Sequence, residues 1–149
     1  MYETDATIAW AKTKDIIIPE NILKKIRIRG IYGLFVDDKC IYVGKSENIY
    51  KRLFASDKNS GGHLYKLKYK IDHQEKLYGH LEVLKNAIDQ KQKIEVKVLK
   101  EVPHQDDNPY KNAQRLASAE CFYIDYYQNI DQCLHQMPEG VAFPKTTHK

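Results

Sequence analysis

The run Gly30-Ile31-Tyr32-Gly33-Leu34-Phe35-Val36-Asp37-Asp38-Lys39-Cys40-Ile41-Tyr42-Val43-Gly44 reads as two β-strands joined by a turn. β-Branched and aromatic residues fill both halves, and Asp-Asp-Lys between them supplies turn chemistry. A loop of those three residues pairs Leu34 with Tyr42 and Tyr32 with Gly44. Side chains alternate along a strand, so Tyr32, Leu34, Tyr42 and Gly44 are expected on one face.

Upstream, Pro19-Glu20-Asn21 starts a short helix through Lys25, because Pro suits the first turn and Ile22, Leu23 and Ile26 follow at helical spacing. Residues 1–18 carry little pattern beyond Ile16-Ile17-Ile18, a short strand or a packed segment. The first 28 residues are expected as an extension lying on the core. Downstream, Ser46 or Asn48 caps a helix bearing Ile49, Tyr50, Leu53 and Phe54, with Lys51 and Arg52 among them, closed by Ser60-Gly61-Gly62. His63 to Ile71 fits a strand, with Tyr65, Leu67, Tyr69 and Ile71 opposite Lys66, Lys68 and Lys70. It fits equally a helix with Leu64, Leu67 and Ile71 inward. A helix over 74–89 (Leu77, Leu81, Leu84, Ile88), a strand at Ile94, Val96 and Leu99, a loop from Pro103 to Pro109, and a helix from Tyr110 to Tyr127 follow. No internal repeat is expected. This order predicts an α/β (α+β) chain, with a small, mainly antiparallel three-stranded central sheet flanked by helices rather than a doubly wound fold.

The 149 residues, 42% hydrophobic and 30% charged, suit one domain. A formal charge of +4 permits an anionic partner. Only Arg27, Arg29, Arg52 and Arg115 offer the guanidinium fork suited to phosphate. Cys40, Cys121 and Cys133 contain no C-x-x-C pair, which speaks against a disulfide framework or a cysteine zinc site and for a reducing compartment. With no apolar run near the roughly 20 residues of a membrane span and no signal-like start, a soluble, cytoplasmic protein is expected.

Gly30-Ile31-Tyr32, then Tyr42-Val43-Gly44 followed at once by Lys45, then Arg52 ten residues after Tyr42, then Glu120 within Ala119-Glu120-Cys121-Phe122-Tyr123-Ile124, form an ordered set. This set resembles the GIY-YIG nuclease family over about residues 29–140, leaving 141–149 as a tail. The resemblance implies that family's fold, a DNA partner and a divalent metal, Mg2+ or another such as Mn2+. It also implies a catalytic arginine at Arg52, a lysine at Lys45 and a metal-binding glutamate at Glu120. Two positions depart. The family asparagine falls at His135 in Leu134-His135-Gln136-Met137, with Asn129 nearby, and a histidine one turn after the arginine falls at Ser56, leaving His63 as a spatial substitute.

Chemistry supports the same residues. Phosphodiester hydrolysis needs an activated water, charge stabilisation in the transition state and help for the leaving oxygen. Lys45 and Arg52 beside two phenols favour a phenolate, so Tyr32 or Tyr42 is the candidate general base, and Arg52 clamps a phosphate oxygen. Glu120 sits among Ala113, Leu116, Ala117, Tyr123, Ile124 and Tyr127 on an apolar helix face, where a metal or a cation offsets the burial of its charge. Lys66, Lys68 and Lys70, interleaved with Tyr65 and Tyr69, are candidates for nucleic-acid backbone contacts. Each residue also has a plain structural role: strand tyrosines, a helix-surface Arg52, a turn lysine in water at 45, and Glu120 paired with Arg115. The expected function is a metal-dependent DNA endonuclease of restriction or mobile-element type. Cutting both strands requires a homodimer or successive nicks. The competing expectation, from His135 and Ser56, is a nucleic-acid-binding module that keeps the fold without turnover.

Overall fold

The computed structural model describes residues 3–56, 61–105 and 107–137; the expected tail at 141–149, and Ser60 of the expected breaker, lie outside them. Strand β1 (Gly30–Val36) pairs antiparallel with β2 (Lys39–Ser46), with Tyr32 opposite Gly44 and Leu34 opposite Tyr42. The turn is tighter than the expected three-residue loop. Asp37 and Asp38 alone reverse the chain, both at positive φ (48° and 67°), a geometry whose twist matches paired strands. Phe35 then lies opposite Cys40, and Ile41 is the extra residue of a bulge. Asp37 accepts from the Lys93 N–H and the Gln92 side-chain amide, each at 3.0 Å, which holds these aspartates in the left-handed region.

β3 (Ile94–Glu101) pairs with the other side of β1, giving an antiparallel sheet in the order β2-β1-β3. The central strand is buried along its whole length, which is why its sequence is apolar almost throughout rather than alternating. On one face Tyr32, Leu34 and Val96 join residues of α1 (Glu3–Thr13), α2 (Glu20–Leu23), α3 (Ile49–Phe54), α4 (His63–Asp72) and α5 (Gly79–Asp89). On the other, Ile31, Phe35 and Val43 meet Leu116 and Ile124 of α6 (Pro109–Gln128). No described helix is long and apolar enough to cross a membrane.

Several elements differ from expectation. α1 occupies the stretch that lacks a pattern, because among its residues of described burial, 5–13, only Thr7 and Ala11 are fully buried, too few to show a stripe. Ile16 and Ile18 are buried and Ile17 joins the sheet edge, exchanging backbone hydrogen bonds of 2.9 and 2.8 Å with Ile94 and Val96. α2 stops at Leu23, short of Lys25, whose φ of 63° breaks the helix. The 63–71 segment is helical, with Leu64 and Leu67 buried. A β-carbon at Gly62 would overlap the backbone of Leu53 and Phe54, so α4 starts hard against the end of α3. The helix expected over 74–89 begins only at Gly79, because Gln74 at φ 56° terminates α4.

An internal repeat is present, contrary to expectation. Gly-His-Leu-Tyr-Lys-Leu-Lys-Tyr-Lys-Ile-Asp (62–72) and Gly-His-Leu-Glu-Val-Leu-Lys-Asn-Ala-Ile-Asp (79–89) agree at seven of eleven positions. The structures repeat as well. Leu64 and Leu67 match the buried Leu81 and Leu84, and Lys68–Asp72 at 2.6 Å matches Lys85–Asp89 at 2.7 Å. Gln74 and Lys91 end the two units at φ 56° and 57°. Two short units hide easily, because helical spacing explains each leucine pair without reference to the other.

Arg29, just before β1, is 7% exposed at its side chain. Its Nε donates to both oxygens of Glu47 at 2.9 Å, Nη1 to the Val102 carbonyl at 2.6 Å, and Nη2 to the Asn112 carbonyl at 2.9 Å. It ties the ends of β2 and β3 to the first turns of α6. Arg29→Ala strands two carbonyls and is expected to cost about 2–4 kcal/mol of stability, measured by urea unfolding. Arg27→Ala, the exposed neighbour, is expected to change stability by less than about 0.5 kcal/mol.

Candidate active site

Tyr32 and Gly44 face each other across β1 and β2, and the ring needs the glycine. A β-carbon at Gly44 would overlap Cζ and the hydroxyl of Tyr32. The phenol reaches past this gap to His63, the first residue of α4, with Oη 2.6 Å from Nε2. Tyr32 is fully buried and His63 is 4% exposed, so each satisfies a polar group that has no access to bulk water. His63 Nδ1 lies 2.8 Å from His80 Nε2, near the start of α5. The half-buried Tyr42 packs edge-on to His63 at 4.9 Å and stacks on His80 at 4.3 Å between centroids.

Electrostatics sets the state of this cluster. Burial, then the charges of His80, Arg52 and Lys66, hold His63 well below the usual histidine range. Burial, then Arg52 and Lys66, lower His80 to about 4. Both imidazoles are therefore neutral at pH 7, and each offers one donor and one acceptor nitrogen. Arg52 acts on both from α3, so the structure brings Tyr32, Tyr42 and Arg52 around the two histidines.

Lys45 and Glu120 form a second group. Glu120 is 2% exposed on α6, and Lys45 Nζ on β2 lies 3.9 Å from its carboxylate. The Lys45 side chain is only 25% exposed and turns toward this acid, not out into water. The two groups belong to different cores, Tyr32 to the helix-rich face and Glu120's neighbours Leu116 and Ile124 to the α6 face. The phenol lies over Gly44 and the lysine that reaches the glutamate is the next residue of β2, so the two groups stand on opposite faces of the sheet.

His135 is exposed and lines a groove of about 600 Å³ with Tyr42, His80, Val83 and Leu134. Its neighbour Gln136 does the structural work. The Gln136 amide accepts from the Val43 N–H at 2.8 Å and donates to the Val43 carbonyl, while Gln132 accepts from the Cys40 N–H at 2.6 Å. The 132–136 segment is thereby fastened along β2. Among the three lysines, Lys66 faces the imidazoles, Lys68 pairs with Asp72, and Lys70 Nζ lies 3.5 Å from the Lys76 carbonyl. On a helix Lys68 sits about 200° round from Lys66, so they do not make one row. Sequence reasoning missed His80 and Gln136 and flagged His63 only as a substitute. The repeated Gly-His-Leu at 62–64 and 79–81 is the signal that marks both histidines.

Gly44→Ala is expected to displace the Tyr32 ring, break its hydrogen bond to His63 and cost about 1–3 kcal/mol, read by thermal unfolding and by the loss of the His63 ring shifts in NMR. Acid should also destabilise the fold. The unfolded histidine binds a proton near pH 6.5 and folded His80 only near 4, so stability is full above 6.5 and falls as pH drops through that window. His80 alone is expected to account for about 3 kcal/mol lost by pH 4, and His80→Gln should flatten that part of the profile.

Compared with protein-family models, with curated proteins and with solved structures, the chain matches none.

Proposed function

We propose that the chain is a metal-dependent endonuclease of the GIY-YIG type, hydrolysing phosphodiester bonds of DNA in the cytoplasm. The observation that supports this best is the seating of Tyr32: a phenol over Gly44, hydrogen-bonded to the neutral His63, with Arg52 acting on the imidazole; Lys45–Glu120 lies one residue further along β2, on the other face of the sheet. In this reading Tyr32 is the general base, its phenolate favoured by nearby cations and by a donor from His63. Tyr42 packs against the imidazoles, Arg52 clamps a phosphate oxygen, and Lys45 neutralises charge on the attacked group.

Glu120 fits a hard cation. Mg2+ is commonly bound through one or two carboxylates completed by water and phosphate oxygens, and a cation at Glu120 would take the place beside the carboxylate that Lys45 Nζ holds at 3.9 Å. When bound, Mg2+ or Mn2+ would supply charge neutralisation on the phosphate. His135, in the groove beside Tyr42, contacts the substrate strand in this reading, and Lys66 supports it from α4. A nucleic-acid-binding module without turnover is favoured by one observation: the Tyr32 side chain is fully buried and Glu120 is 2% exposed, so both reacting groups are sealed.

A supercoiled-plasmid nicking assay with Mg2+ or Mn2+ decides. Wild type is expected to nick, and Glu120→Ala and Arg52→Ala to nick at least about 100-fold more slowly. No cleavage with any divalent metal, or variants as fast as wild type, overturns the nuclease. Retarded DNA in a gel-shift experiment without cleavage would leave the binding module.

A further inference from the structure

We propose that His80 is the outer member of a proton relay, Tyr32–His63–His80, connecting the buried phenol to the groove between α5 and the 131–136 segment. This rests on Tyr32 serving as the base, as proposed above, and adds the route by which its proton leaves.

A phenol with no exposed surface cannot lose its proton directly to bulk water. Its oxygen lies 2.6 Å from one nitrogen of His63, and the other nitrogen of that ring lies 2.8 Å from His80. A neutral imidazole takes a proton on one nitrogen and gives one up from the other. The steps balance. Tyr32 O–H passes its proton to His63 Nε2, His63 Nδ1–H passes its own to His80 Nε2, and His80 Nδ1–H passes its own to water in the groove. Three bonds to hydrogen break and three form, leaving a phenolate, two neutral imidazoles and one proton in solvent. Both rings have then changed tautomer, so His63 Nε2–H points at the phenolate and His80 Nε2–H at His63. The product state keeps every hydrogen bond of the starting state.

His80 suits the outer position because it is half-buried and lines the groove, while Tyr42 stacked on it at 26° between planes fixes the ring. The titratable and charged groups facing it are Arg52 from α3, His63 and Lys66 from α4, Tyr42 from β2, and Lys39, Cys40, Asp131, Cys133 and His135 along the groove. Arg52 and Lys66 oppose an imidazolium, so a proton passes through and does not lodge there. His63 and His80 also occupy the same position of the two repeated units, so the duplication itself supplies two rings in series.

The test reads the wild-type protein by NMR, with 15N histidine and 13Cζ tyrosine, and follows both imidazole tautomers as Tyr32 ionises. The expected result is that His63 and His80 share one tautomer and switch together from Nδ1–H to Nε2–H at the Tyr32 midpoint. His80→Ala should uncouple the His63 tautomer switch from the groove, slow nicking roughly tenfold, and regain rate when imidazole is added. A His80 tautomer that stays fixed through the Tyr32 titration, or a Tyr32 that does not ionise by pH 11, overturns the relay. Coupled switching in a protein that never nicks DNA would retain the relay and reject the nuclease, so the two failures are separable.

Discussion

The buried Tyr32 phenol constrains this molecule more than any other group. Its ring leaves room for no side chain at Gly44, and its hydroxyl, out of reach of water, requires a partner, which the start of α4 supplies. Leaving such a group unpaired costs about 1–3 kcal/mol. His63 meets that need and, being buried itself, creates the next one, met by His80, which reaches the groove. The demand propagates to backbone geometry. For His63 to open α4 at this place, the chain at Gly62 must touch the backbone of α3, and only glycine fits there.

How far the sequence revealed this depends on the physical origin of each feature. Hairpin register was legible, because alternation and turn chemistry are local. Its bulge at Ile41 was not, because it follows from two aspartates held at positive φ by contacts to residues 92 and 93. Residues 63–71 were ambiguous because leucines and tyrosines there satisfy both periods, and the packing of Gly62 on α3 settles the matter from outside the segment. α1 was invisible because it buries so little. At the candidate site, Tyr32, Tyr42, Lys45, Arg52 and Glu120 stood out through the family resemblance of their ordered set, whereas Arg29 and Gln136 act through long-range contacts that leave no local pattern. His80 was legible in principle, through the repeat.

The four arginines divide by task. Arg29 is spent inside the fold, saturating two carbonyls and one carboxylate, and its charge is unavailable to a ligand. Arg52 keeps its charge beside neutral imidazoles and raises the energy of protonating them. A mild net charge of +4 thus conceals two unlike uses of one residue type, Arg29 just before β1 and Arg52 on α3.

The glutamine fastening of β2 has a further consequence. A three-stranded sheet has two open edges, each a template for pairing with another chain. Here Gln132 and Gln136 occupy the Cys40 and Val43 amides with side chains, and Ile17 occupies part of the β3 edge. A glutamine side chain satisfies an edge but presents no new row of donors and acceptors behind it, so pairing ends where a true strand would have continued it. The sheet is sealed against growth at these places by groups that cannot propagate it. Any association between copies is thereby directed to the helical faces, where α6 exposes Phe122 and Tyr126, with Ile130 exposed just beyond its end.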